Sequence, residues 1–572
     1  MLQFKKNLLI FLVILFFTIN CTVAQAVNVI DNDFVPPVEL PLFLSGNFAE
    51  LRSNHFHAGI DIKTQGVIGH RVVAIDSGFI SRVKVSSSGY GNAVYIQHYN
   101  GYTSVYGHLH EFFDELAEYV KTQQYAKKKF NVDLYLKKEQ FQVSKGQLIA
   151  LSGNTGYSGG PHVHFEIRRN EDQVPLNVLQ FGFEVKDTLP PVFKRLALYD
   201  LQNELLADIS DKVFLSLTGS NGVYNLKEEV INVPKTLGIG TEVYDFLNGS
   251  NNKCGVYKLK LYYDGVLKYS FILDEVPFDK TRYINAHMDF EEKRVNKKNI
   301  HKLFIEPGNR LKIYDEKLGN GILSFTDTLV HDIKIEAYDV YENLSSLEFK
   351  AKANFENLQD TNIHVLYYKH TNIFDSTGFS INIPQGALYN NVPVNFAFYT
   401  NEEEVEHIYN IGVKNVSLHK YASMSLPLPV EFEDNYEDKV VVVLHKGEGK
   451  VSSLGGEVNG KKIYTLTREL GEFSVRIDTV PPIVKPLRDY SIGTLMQGAS
   501  LRFEITDDLS GIKTYNGYIN GDWALFEYDA KNDLLNYTLD DDRLGNSTTH
   551  ELKVFVMDER NNVSVYETKF NY

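Results

Sequence analysis

The sequence predicts a mostly β chain: an N-terminal antiparallel β domain carrying a helical insertion, followed by several β-sandwich domains. Three observations carry that prediction. Tyrosine and phenylalanine number 35 and 36 against one tryptophan and five methionines, an aromatic, β-branched texture that fits pleated, half-buried surfaces. Residues 41–169 alternate apolar and polar with period two, as in RVVAIDSGFISRVKV and GNAVYIQHYNGYTSVYGHL, and break at turn residues about every eight to twelve positions. Two segments then recur. DTLPP from Asp187 returns as DTVPP from Asp478, and HDIKIEAYDVYEN from His331 returns as HELKVFVMDERNN from His550, the mark of a repeated module.

The 572 residues exceed what one core organises, and a length of roughly 150 residues per domain predicts about three or four domains. Residues 1–26 read as a secretory signal peptide. Lys5 and Lys6 precede an apolar run from Leu8 to Phe17, with small residues at Ala24 and Ala26 for cleavage. That run is shorter than the ~20 residues a spanning helix needs, and no later segment could span a bilayer. Lipidation at Cys21 is the weaker alternative, because Thr18, Ile19 and Asn20 do not place a small residue before the cysteine. Loss of the leader leaves Cys254 alone, so export brings no intramolecular disulfide. The net charge of −15 argues against a nucleic-acid partner, which needs clustered Lys and Arg.

The first domain is expected over 40–180. Within it, residues 111–139 carry Phe112, Leu116, Tyr119 and Val120 at helical spacing without Gly or Pro, which predicts the inserted helix. The repeat places two immunoglobulin-type sandwiches at 187–350 and 478–572. The alternating strand before each Asp-x-x-x-Asn turn needs one buried face, and DT-x-PP is extended because proline restricts the residue before it. DDLSGI from Asp507 and NGYINGDW from Asn516 give the second copy a likeness to bacterial extracellular Ig-like modules. Residues 351–477, with SINIPQGALYNNVPV, are expected to form a further β-sandwich of unassigned type.

Chemistry concentrates in the first domain. GNTGYSGGPHVHFE sets His162 and His164 one residue apart, and NHFHAGID sets His57 and Asp61 four apart. On strands both spacings direct a pair to one side. His108, in VYGHLH, lies between the two pairs. A hydrolytic zinc site keeps three protein ligands and one open position, which these residues can supply. The HxH pair alone reads more readily as two histidines on a polar strand.

His57-x-x-x-Asp61, Tyr106-x-His108-Leu109, KGQLIALSGNTGYSGGPHVHFE and GYGNAVYIQH, in that family's order, resemble the M23 peptidases, the lysostaphin and LytM family of zinc endopeptidases that cut peptidoglycan peptides. The resemblance covers about residues 40–170. It implies an antiparallel β peptidase domain, Zn2+ held by His57, Asp61 and His164, and His108 and His162 as catalytic histidines. Two imidazoles and a carboxylate leave zinc enough charge to polarise a carbonyl and acidify water, while imidazoles off the metal move protons near neutral pH. Arg52 stands where an arginine commonly precedes the family's first histidine and is left unassigned. The expected substrate is peptidoglycan peptides, the location periplasm, cell envelope or outer surface, with an envelope protein as a further candidate partner. The rival function is a non-catalytic envelope scaffold or adhesion protein whose LytM-like domain binds peptidoglycan or activates an amidase.

His55 is expected as a rim residue or a substrate contact, Tyr106 in packing, and His70, His98 and His110 as structural or exposed residues. His331 and His550 read as strand-start residues of the repeat. Gly153, Gly156, Gly159 and Gly160 suit tight turns on the substrate side. The insertion departs from the family pattern and reads as a lid, a docking surface or a solvated helix without a role.

Overall fold

The computed structural model describes residues 30, 32–315, 317–354, 364–401, 406–413, 415–429, 436–545 and 547–572. The expected signal peptide and Cys21 lie outside the described residues. Strand dominates the chain, in antiparallel sheets with few helices. Among the described residues no helix is long and apolar enough to cross a membrane.

The N-terminal domain is built from β1 (Leu44–Gly46), β2 (Ile60–Lys63), β3 (Arg71–Val73), β4 (Gly78–Val85), β5 (Asn92–His98), β6 (Tyr102–Leu109), β7 (Glu111–Phe112), α1 (Asp114–Lys127), β8 (Val132–Tyr135), β9 (Gln142–Val143), β10 (Leu148–Leu151), β11 (His162–Arg169) and β12 (Pro175–Leu176). Its main sheet runs β1-β2-β11-β6-β5-β4-β8, with β12 beside β11 and β9 beside β4, and a small sheet β3-β10-β7 accompanies it. Strand β11 explains the placement. Val163, Phe165 and Ile167 are fully buried in the core with Ile60, Ile62 and Tyr106, each worth roughly 1.5–3 kcal/mol of burial. That commitment turns His162, His164, Glu166 and Arg168 to the other face. Flanking β2 and β6 put Asp61 and Gly107 opposite His164.

The insertion is helical only over α1. Its first residues form β7, paired with β10, and its tail forms β8, paired with β4, because NVDLY alternates with period two where the helical spacing ends. Asp114 and Glu115 sit in the first turn of α1, favourable to the helix dipole, and Lys128 closes it in the left-handed region at φ 48°. Leu116 and Val120 are the apolar side chains it buries.

Residues 192–353 form one ten-stranded sheet, antiparallel except where Val223–Val233 pairs with Leu344–Ala353. Residues 372–477 fold into two five-stranded sheets around a shared core, and residues 483–571 into two four-stranded sheets. The repeat is visible in strand order. Val266–Ile272, Lys258–Tyr263, His331–Tyr338 and Leu344–Ala353 neighbour one another as Asp522–Ala524, Ile512–Ile519, Thr549–Asp558 and Val563–Asn571 do.

The C-terminal sheets return to the N-terminal domain. Lys121 of α1 pairs with Asp540 at 2.7 Å, Tyr125 meets Trp523 edge to face, and Arg543 stacks over Tyr125 at 3.9 Å. Lys531 Nζ donates to the carbonyl oxygens of Asn154 and Gly156, in the loop before β11. The exposed side of the inserted helix is thus a docking surface for the chain's own last module.

Candidate metal centre

Three lone-pair atoms converge where β2 and β11 run side by side. His57 Nε2 lies 3.0 Å from His164 Nδ1 and 3.1 Å from Asp61 Oδ1. His164 Nδ1 lies 3.0 Å from Asp61 Oδ1. The three residues are buried, at 2, 6 and 3% exposure for His57, Asp61 and His164, so water does not compensate them. Their outer atoms fix what the inner ones are. His57 Nδ1 faces the Asn47 carbonyl oxygen at 2.7 Å and donates to it. His164 Nε2 faces Glu166 Oε1 at 2.8 Å and donates to it. Both inner nitrogens of the neutral rings therefore carry lone pairs, aimed at each other and at a carboxylate oxygen. A group of acceptors with no donor between them fits a cation.

The outer layer is itself braced. Glu166 is fully buried and takes Arg168 Nε at 2.6 Å and the Tyr90 hydroxyl, and the Tyr90 ring stacks on His164 at 5.0 Å. Arg52 holds Asp61 through its other oxygen, which gives that arginine a place the sequence left open. Such partners set tautomer and ring orientation for metal ligation. Burial works against charge on Asp61, yet the neighbouring His57, His162 and His164 rings hold its carboxyl well below the usual range. Burial pushes His57 down to about 4. Burial also opposes charge on His164, but Asp61 and Glu166 outweigh it and carry the ring up to about 8, so without a metal a proton takes the central position.

His108 and His162 stand beside this group, with ring centroids 4.7 Å apart. His108 Nδ1 donates to the Thr155 carbonyl oxygen at 2.8 Å, and His162 Nδ1 to the Gly160 carbonyl oxygen at 2.8 Å. Each neutral ring is left with its lone pair on Nε2. His162 Nε2 reaches within 3.4 Å of Asp61 Oδ1. Burial, then the neighbouring His164 and His162, pushes His108 down to about 3. His108 also has φ 58°, a conformation that costs of order 1–3 kcal/mol in a side-chain-bearing residue. Its N–H bond to the Tyr90 carbonyl oxygen at 2.8 Å holds it there.

Residues 55–129 and 121–176 match the sequence profile of Peptidase family M23. The N-terminal domain belongs to that family. The M23 domain is 32% identical over 123 residues to a Haemophilus influenzae protein named an uncharacterized metalloprotease, a match spanning 21% of each chain. It is 33% identical over 129 residues to the DD-carboxypeptidase/endopeptidase Mpg of Neisseria meningitidis serogroup B, spanning 22% of this chain and 24% of that protein. The chain covers less than a quarter of the length of these curated relatives. The catalytic domain of the antimicrobial peptidase lysostaphin from Staphylococcus simulans is 24% identical over 24% of this chain and 91% of its own, at a TM-score of 0.19. Residues 363–478 match a Zu5-like domain. M23 membership implies a metal, and the converging acceptors fit one.

Elsewhere in the M23 domain, His55 is exposed and bonds only its own turn, at the Ser53 carbonyl oxygen. His98 is buried between Ser104 Oγ and the Ser77 carbonyl oxygen, His110 is exposed and His70 half-buried. The Tyr106 hydroxyl is used inside the core by Ile75 N–H and Ser104. The glycines divide. A Cβ on Gly153 would meet His110 N at 2.4 Å, and one on Gly156, at φ 67°, would meet Gly91 N at 2.3 Å. These two permit close packing of neighbouring backbone. Gly159 and Gly160 border open space. The residues missed by sequence reasoning are Glu166, Arg168, Tyr90, Asn47 and Thr155. The first two share the parity of His162 and His164 on β11 and were readable by extending it. The others act from loops and carbonyl groups, with no local signature.

Proposed function

We propose that the chain is an exported zinc metalloendopeptidase that hydrolyses peptide bonds in peptidoglycan, acting in the periplasm or cell envelope or at the outer surface. The observation that carries this reading is the three-acceptor group, His57 Nε2, Asp61 Oδ1 and His164 Nδ1, with the atom behind each already hydrogen-bonded. These two nitrogens and one oxygen would hold Zn2+, a mixed set that zinc favours. Zinc there supplies acidification of a water molecule and polarisation of the scissile carbonyl.

His108 and His162 contribute what the chain itself can do. Their Nε2 lone pairs accept the proton of the attacking water, since the opposite nitrogens are committed as donors to Thr155 and Gly160. The ring that has taken the proton returns it to the leaving amine. Asp61, held by Arg52, keeps its inner oxygen ionised through the cycle. The Neisseria relative's name makes a D,D-linked stem peptide the first substrate to assay. We assign the peptidase to 40–180 and read 187–350 and 478–572 as the repeated Ig-like modules, with 351–477 as the sandwich between them, together positioning the enzyme on the envelope.

The test uses the mature chain. Bound zinc is measured, and soluble fragments released from isolated peptidoglycan are compared between wild type and His164→Ala. The proposal expects one zinc and His164-dependent release. Peptidoglycan binding without cleavage by the zinc-loaded wild type would support the scaffold reading instead.

A further inference from the structure

Each repeated module carries three aspartates whose carboxylate oxygens lie within 4.8 Å of one another: Asp187, Asp245 and Asp339 in the first, Asp478, Asp507 and Asp558 in the second. Their places correspond. Asp187 and Asp478 open the DT-x-PP segments. Asp245 and Asp507 precede the hairpins Lys258–Ile272 and Ile512–Ala524, within DFLNG and DDLSG, which share D-x-L-x-G. Asp339 and Asp558 begin the Asp-x-x-x-Asn turns. There Asn343 and Asn562 donate N–H to Oδ1 at 2.9 Å in both copies, and Nδ2 to Oδ2 at 2.6 and 2.8 Å. A repeat preserved in backbone alone would not require three carboxylates to meet twice.

The first triad is an uncompensated one. Asp245 and Asp339 are each 2% exposed. Among the described residues, Asp245 Oδ1 and Asp187 Oδ2 have no hydrogen-bond partner, nor does the nearby Tyr341 hydroxyl. Among the described residues, the groups that act most on these carboxyls are one another, backbone amides and Asn343, not a lysine or arginine. A buried acceptor without a donor is costly, and a buried charge needs a partner of opposite sign. In the second copy Asp478 and Asp558 are 1% and 0% exposed while Asp507 is half-buried, again with a partnerless Oδ1.

We propose that Asp187, Asp245 and Asp339 bind a divalent cation, calcium by preference, at the junction between the M23 domain and the first repeated module. An all-oxygen carboxylate set selects hard cations over zinc, and calcium accepts irregular geometry with carbonyl and water oxygens completing its shell. The ion reaches the peptidase through a short path. The Asp245 backbone pairs with Cys254, with N–O distances of 3.0 and 2.9 Å. The next residue, Gly255, exchanges two 2.7 Å hydrogen bonds with the Asn47 side chain, and the Asn47 carbonyl oxygen holds His57 Nδ1. Calcium at the junction therefore braces the loop behind a ligand of the metal centre.

The experiment takes the full chain, stripped by chelator and reloaded with zinc, and measures bound calcium by equilibrium dialysis and thermal unfolding with and without millimolar calcium, where extracellular modules typically bind (~10⁻⁴–10⁻³ M). Wild type should bind calcium and unfold at a higher temperature with it. Asp245→Asn should bind one calcium fewer per chain and lose that part of the rise. In chelator the variant should be at least as stable as wild type, because a neutral isostere replaces an unpartnered carboxylate. Asp187→Asn, at the less buried edge, carries the same stoichiometric expectation should Asp245→Asn fail to fold. His164→Ala should bind calcium undiminished. A wild type that binds no calcium, or a full complement retained by both aspartate variants, overturns the proposal.

Discussion

The candidate metal centre of the M23 domain and the aspartate triad proposed at its junction are clusters of the same size built in opposite ways. In the first, each candidate ligand has its distal atom held: His57 by Asn47, His164 by Glu166, Asp61 by Arg52. In the second, Asn343 braces Asp339, while among the described residues Asp245 and Asp187 each leave an oxygen without a partner. A nitrogen-bearing centre can be arranged before its ion arrives, because imidazole offers a donor on one side and an acceptor on the other. Carboxylates are acceptors only, so an all-aspartate cluster depends on the ion for its order.

The largest effect should come from breaking the braced centre. His57→Ala or His164→Ala removes a ligand and should abolish both bound zinc and peptidoglycan cleavage, read by metal analysis and fragment release. His108→Ala should retain zinc while cleavage falls by roughly 10²–10⁴-fold, the usual contribution of a positioned acid or base. Glu166→Gln leaves the ligands intact but takes the charge from behind His164, and zinc affinity should weaken by about 10–100-fold, measured by competition with a chelating dye.

A pH comparison sharpens the same contrast. His164, with burial opposing and Asp61 and Glu166 prevailing, is raised to about 8 from an ordinary 6.5. Its folded value lies above its unfolded one, so its contribution to stability is complete below about pH 6.5 and is lost as pH rises through about 8. The metal-free chain should therefore lose denaturant resistance over that interval, and His164→Asn should flatten this part of the profile. Zinc affinity should run the other way, rising as the ring gives up its proton.

Much of this centre was legible in the sequence, because β11 writes its two faces in alternate letters: Val163, Phe165 and Ile167 to the core, His162, His164, Glu166 and Arg168 to the site. The spacing of His57 and Asp61 was legible for the same reason. Asn47 and Thr155 were not, since each acts through a backbone carbonyl that any residue type provides. The helical spacing of the insertion marked α1 but ran past it into β8. Nothing local announced that Trp523 and Arg543, some four hundred residues on, would cover it. The repeat was readable at its ends, in DT-x-PP and the Asp-x-x-x-Asn turns. Its middle aspartates, in segments otherwise unlike, became comparable only once the hairpins after them were aligned.

The smallest effect tests the contact between the chain's ends. Lys531→Ala removes the donor that ties the last module to the loop before β11. A single exposed or half-exposed charge contact is worth about 1 kcal/mol or less, so cleavage of polymeric peptidoglycan should change by about fivefold at most, with zinc content unaltered.

The two histidines of HVH are assigned different work, and metal content measured beside fragment release in His162→Ala and His164→Ala separates their roles directly. His162→Ala should keep its zinc and lose cleavage, while His164→Ala loses both. A His162→Ala protein stripped of zinc, or one that cleaves as wild type does, would contradict the assignment.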